Sequence, residues 1–159
     1  MKTDKKNELA LPVAFSGPAQ LLLYTRYGDP HEPGFAQKWL TTWEIKDQFA
    51  WFPRTQIQIH KHFRPLLEGA LTELFVMNLQ NEIKSVDDDF QIRMIKGSTD
   101  VLSTHSWGVS IDMNASGNPV GAAAKWGKPF LEVMRRHKIF CGADWDGRKD
   151  PMHFSMVNG

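Results

Sequence analysis

Apolar residues recur along this chain at two different periods, and the switches between them mark out its elements. Over residues 61–80, Phe63, Leu66, Leu67, Ala70, Leu71, Leu74, Phe75 and Met77 or Asn78 follow helical spacing and predict a helix with a buried stripe. Pro65 falls in its first turn, where a missing amide hydrogen costs little. A second helix is expected over 129–137, with Phe130, Val133 and Met134 on one face and Arg135 and Arg136 on the other. Period two takes over elsewhere. Residues 39–45 alternate weakly, and 90–95 alternate as Phe90, Ile92 and Met94 against Gln91, Arg93 and Ile95. Val109, Ile111 and Met113 alternate with Ser110, Asp112 and Asn114. Near the C-terminus, Met152, Phe154 and Met156 alternate with His153 and Ser155. Gly108 and the β-branched Val109 and Ile111 favour strand over helix for residues 109–114. Pro151 suits the start of a strand and would damage its middle.

Helices and strands mix without a βαβ rhythm. That predicts an α+β fold with a small, mainly antiparallel sheet and flanking helices. The 159 residues suit a single domain. Residues 1–35 read as an N-terminal extension packed on a core of 36–159. The aromatic run Phe49, Trp51 and Phe52 before Pro53 reads as core, and the turn-rich stretch 28–34 as a loop. Lys2, Lys5 and Lys6 precede an apolar stretch, but Pro12, Ser16, Gly17, Pro18 and Gln20 break it. It is a poor signal core and too interrupted for a membrane span, so no export signal is expected.

Composition narrows the classes. A formal net charge of +1 and the lack of a dense Lys/Arg stripe argue against nucleic-acid binding. The single cysteine, Cys141, excludes an internal disulfide and any multi-cysteine metal site, and reads as a small buried apolar residue. The aspartates 87–89 lack the spacing of a calcium loop and read as solvated surface. His60 and His62 would share a strand face, but no carboxylate or third histidine lies close by in sequence. His31 reads as a loop residue and His137 as a helix end.

The chemistry concentrates in two segments. His105 and Asp112 lie seven positions apart, the first in a loop and the second mid-strand. An imidazole and a carboxylate converging in this way suit zinc if a third ligand exists. His153 supplies one if its strand pairs beside that of Asp112. Three protein ligands leave a fourth position for water, as catalytic zinc sites require. Asp150, three residues before His153, is placed to take a proton from that water.

These segments read Ser-x-His-x-x-Gly-x-x-x-Asp (Ser103, His105, Gly108, Asp112) and Asp-x-x-His-Phe (Asp150, His153, Phe154). The pair resembles the zinc D-alanyl-D-alanine and L-alanyl-D-glutamate peptidases, which share a fold with the Hedgehog signalling domain and include many phage endolysins. Gly142-Ala143-Asp144-Trp145 also looks like the run preceding the last motif in the endolysin branch. The resemblance spans roughly residues 39–156. It implies one zinc ion on His105, Asp112 and His153, Asp150 as general base, and a Hedgehog/DD-peptidase-like fold. Arg93 is the candidate partner for a substrate carboxylate, since relatives often carry an arginine before the first motif. Ser103 is expected to order the metal loop, and Trp107 and Trp145 to wall the cleft. One departure is Ser155, where many relatives have glutamate.

The implied activity is hydrolysis of the peptidoglycan stem peptide, foremost at the L-alanyl-D-glutamate bond, by a monomer released to the cell wall at host lysis. A D-alanyl-D-alanine carboxypeptidase and a non-catalytic Hedgehog-like zinc module are the alternatives.

Overall fold

The computed structural model describes residues 13–159. The expectations for residues 1–12, including the lysines and Pro12, lie outside the described residues. A 3₁₀ turn, Val13–Phe15, leads into α1 (Pro18–Tyr27) and the short α2 (Phe35–Trp39). Strand β1 (Leu40–Trp43), α3 (Ile45–Gln48) and β2 (Ile57–His60) follow. Then come α4 (Arg64–Val76), β3 (Val86–Asp88), β4 (Ser110–Met113), α5 (Lys128–Arg136), β5 (Phe140–Gly142) and β6 (Asp150–Ser155).

The architecture is α+β with two small antiparallel sheets among the described residues. One is the β1–β2 ribbon; the other has four strands in the order β3-β4-β6-β5. Alternation on β4 and β6 decides what each face does. Ile111, Met113 and Phe154 point to one side, where Cys141 joins them. They pack there against Leu67, Ala70, Leu71 and Leu74 of α4 and Phe130, Val133 and Met134 of α5. Phe49 and Phe52 close this core, as the aromatic run predicted. Ser110, Asp112, His153 and Ser155 alternate with those apolar residues and are themselves buried.

A second, smaller core joins Phe15, Ala19, Leu23 and Phe35 to Leu102, Trp107, Val109 and Val157. It attaches α1 to the segment around the metal motif. Val109 therefore departs from the expected face of Ile111 and Met113: it lies just ahead of β4 and serves this other core. Trp107 departs too. It is fully buried there, with Nε1 donating to the Gly28 carbonyl at 2.9 Å, and it does not wall the cleft.

Three more expectations need correction. Residues 90–95 form no strand and make only an isolated bridge, Met94 to Leu102, with Ile92, Met94 and Ile95 exposed. Their alternation had no second buried surface to face. Residues 87–89 are not a solvated loop: Val86–Asp88 is the edge strand β3, its acidic side chains held by neighbours. Phe75 and Met77 leave the buried stripe and are exposed. Each residue turns a helix by about 100°, so Phe75 is rotated off the line that Leu67, Leu71 and Leu74 share.

Candidate metal centre

His105 arrives on a 3₁₀ turn, Thr104–Trp107, whose N-cap is Ser103; the Ser103 hydroxyl accepts from the His105 amide at 3.3 Å. The turn ends at Gly108 with φ +71°, a left-handed conformation that favours glycine. A side chain there would also meet Leu40 and the His60 amide. This reversal aims the chain from His105 directly into β4 and Asp112. On β6, His153 is the register partner of Asp112.

The three side chains meet at one oxygen. His105 Nε2 lies 3.1 Å from Asp112 Oδ1, and His153 Nδ1 lies 3.2 Å from the same atom. All three are buried, and their candidate ligand atoms lie within 4.8 Å of one another. The outer ring nitrogens decide where the protons sit. His105 Nδ1 is 2.7 Å from the Asp89 carbonyl, and His153 Nε2 is 2.8 Å from the Gly159 carbonyl. Carbonyls only accept, so both outer nitrogens donate, and in the neutral rings both inner nitrogens are left with lone pairs.

Two lone pairs and a carboxylate oxygen aimed at one point repel one another unless a cation lies between them. Zinc bonds of about 2.0–2.1 Å at a tetrahedral angle separate ligand atoms by about 3.4 Å, close to the two distances seen here. The donor set is borderline-soft nitrogen plus carboxylate oxygen, which zinc accepts. The residues fit the ion.

Electrostatics agree. Burial opposes ionisation of Asp112, but in the metal-free site protonated His105 and His153 can donate to it, and this outweighs burial and holds its carboxyl well below the usual range. Burial likewise disfavours a charged His105, yet Asp112, the Asp89 carbonyl and Asp88 together raise its pKa. A positive charge is favoured at this point, whether carried by a proton or by a metal.

Around the triad is a cavity of about 740 Å³, lined among others by Arg93, Lys96, Trp145, Asp150 and the three candidate ligands. Asp150, at the start of β6, is half-buried, and its Oδ1 has no hydrogen-bond partner among the described residues. Burial, reinforced by Asp112, raises its carboxyl above the ordinary range against the pull of His153 and Lys96. Trp145 stands over His153 with ring centroids 5.4 Å apart and does wall the cleft. Arg93 reaches the cavity with its guanidinium engaged: Nε and a terminal nitrogen donate to Asp88 Oδ2 at 3.1 and 2.9 Å. The same terminal nitrogen is 3.9 Å from Asp112 Oδ2. Ser106 Oγ donates to the Arg93 carbonyl and accepts from its amide, both at 3.1 Å, tying Arg93 to the His105 turn.

Sequence reasoning missed several members of the site. Asp88 and Asp89 sat in the acidic run read as surface; Asp89 uses its backbone carbonyl, which no side-chain motif can reveal. Thr104 and Gly159 behind His153 gave no signal either, and Lys96 looked like one surface lysine among many. The competing histidines fall away from this centre. His60 is buried against Trp39 and Tyr27, and His62 bonds the Tyr27 hydroxyl at 2.7 Å. His137 pairs with Glu73. Burial pushes the Cys141 thiol up to about 12, so it is no nucleophile at neutral pH.

No curated protein and no solved structure matched the chain. A family model described as D-alanyl-D-alanine carboxypeptidase matches residues 96–156, less than half of the chain but including His105, Asp112, Asp150 and His153.

Proposed function

We propose that this chain is a zinc-dependent peptidase that hydrolyses the stem peptide of bacterial peptidoglycan, cutting at the L-alanyl-D-glutamate bond as a phage endolysin does. The observation that carries this reading is the convergence of the two imidazoles and the Asp112 carboxylate in a cleft that Asp150 also lines, its Oδ1 without a hydrogen-bond partner among the described residues. The partial family match supports the class of cell-wall peptidase. The match of Gly142–Trp145 to the endolysin-branch run supports the finer choice of bond.

In this reading His105, Asp112 and His153 hold the ion. When bound, zinc lowers the pKa of water toward about 7 and polarises the scissile carbonyl. The chain's own residues do the rest. The Asp150 carboxylate accepts a proton as the water oxygen bonds to the carbonyl carbon, and returns it to the amine nitrogen as the C–N bond breaks. Arg93, held by Asp88, presents its remaining donors to a substrate carboxylate, and Trp145 limits water on the His153 side.

The matching family, D-alanyl-D-alanine carboxypeptidase, favours a second reading, removal of a terminal D-alanine. Mass spectrometry of purified peptidoglycan after digestion separates the two. New N-terminal D-glutamate on the released peptides supports the endopeptidase. Stem peptides shortened by one D-alanine support the carboxypeptidase. No cleavage of any peptidoglycan by zinc-loaded protein supports a non-catalytic zinc module.

A further inference from the structure

The match to known peptidases stops at residue 156, yet the partner of His153 lies beyond it, at Gly159. Val157 is buried in the second core against Phe15, Ala19 and Leu23, and the Gly159 amide bonds the Val157 carbonyl at 3.0 Å. A Cβ added at Gly159 would overlap Ala19 of α1 and touch Thr104. The segment 157–159 is thus wedged between α1 and the His105 turn, with its carbonyl on His153.

Thr104 is the second element behind that ring. Its Oγ1 is 3.4 Å from His153 Nε2, 3.2 Å from the Gly159 carbonyl and 2.7 Å from Ser110 Oγ. Ser110 Oγ bonds Ser155 Oγ at 2.9 Å, and Ser155 Oγ bonds the Val109 carbonyl at 3.1 Å. Counting protons orders this ladder. Each hydroxyl has one. Ser155 gives its proton to the Val109 carbonyl and Ser110 gives its own to Ser155. Thr104 then donates to Ser110 or to the Gly159 carbonyl, and in either case turns lone pairs toward His153. Ser155, where relatives often have glutamate, is the far end of this ladder. It is fully buried.

We infer that Thr104 and the 157–159 segment are positioning residues for His153, fixing its ring and its Nε2–H tautomer so that Nδ1 is held ready for the metal. The 157–159 segment couples α1 to the metal centre from outside the region shared with the matched family, and Thr104 meets it from within that region. The inference rests on His153 being a zinc ligand. Hydrogen-bond partners of ligating histidines typically contribute about 10–100-fold in metal affinity.

Two measurements test it. In metal-free protein at alkaline pH, long-range proton–nitrogen NMR of the imidazoles should show His153 protonated at Nε2, a readout that needs neither zinc nor hydrolysis. Chelator competition with zinc should show Thr104→Val weakened by about 10–100-fold, with Thr104→Ser recovering most of the loss. Gly159→Ala, which pushes the segment off α1, should weaken zinc in the same direction. His153 protonated at Nδ1, or wild-type zinc affinity in both Thr104→Val and Gly159→Ala, overturns the inference and leaves the peptidase reading standing. A wild-type chain that binds no zinc overturns both.

Discussion

Asp112 and His153 stand directly opposite each other across the β4–β6 ladder, with His153 Nδ1 3.2 Å from Asp112 Oδ1. Two of the three candidate ligands are therefore set by backbone hydrogen bonding, and their spacing is as rigid as the sheet. Only His105 depends on a turn, and Ser103, the Asp89 carbonyl and Gly108 hold that turn from three sides. Such pre-set geometry is what a catalytic metal site requires of its scaffold.

One zinc per chain is expected. His105→Ala and His153→Ala should each lose nearly all of it by elemental analysis after dialysis, and Asp112→Asn should bind it more weakly. Stoichiometric zinc in either alanine variant would show that the ligands are others.

Gly108 should tolerate no side chain. A left-handed residue other than glycine costs about 1–2 kcal/mol, and the added Cβ would also press on Leu40 and the His60 amide. Gly108→Ala should lower stability by at least that amount in urea unfolding, with weaker zinc binding as the turn shifts. An unchanged midpoint would show that the turn relaxes without cost.

The sequence carried the site better than it carried the fold around it. Helices α4 and α5 and strands β4 and β6 were legible because each repeats its apolar period over enough residues, and because apolar partners await them on one core. The pairing of β6 beside β4 followed from needing His153 near Asp112. Strands β3 and β5 were missed because three residues span barely one period. Residues 90–95 misled for the opposite reason: they alternate, but Ile92 and Met94 face solvent. Trp107 showed aromatic character without direction, and only the packing of α1 made it core. The carbonyls of Asp89 and Gly159 are invisible to any reading of side chains, although they set both histidine tautomers.

His60 makes folding sensitive to acid. Its ring is buried, its Nδ1 accepts from the His62 amide at 2.9 Å, and burial, with His62 and Lys61, lowers its pKa to about 3. The unfolded chain binds this proton below about pH 6.5 while the folded chain refuses it. Stability is therefore whole above that pH and falls as pH drops toward 3. At pH 5 the loss from this group is about 2 kcal/mol. The difference in unfolding free energy between pH 7 and pH 5 should shrink by about that much in His60→Gln. An equal pH dependence in both proteins would contradict the assignment.

Arg93 should act on substrate rather than on metal. Arg93→Ala is expected to keep zinc and to lower kcat/KM mainly through a higher KM for peptides bearing a free carboxylate. Arg93→Lys should recover little, since one ammonium cannot hold Asp88 with two donors and still face substrate. Unchanged KM in Arg93→Ala would confine this residue to supporting Asp88.

The most direct test is a rate measurement on zinc-loaded wild type and Asp150→Asn with purified peptidoglycan, zinc content being determined on the same samples. Asp150 is not a proposed ligand, and asparagine keeps its shape without its basicity. The predicted result is full zinc in both proteins, hydrolysis by wild type that stops when the metal is removed, and a rate about 10²–10⁴-fold lower in Asp150→Asn. An Asp150→Asn protein that holds its zinc and digests cell walls at the wild-type rate would contradict the account.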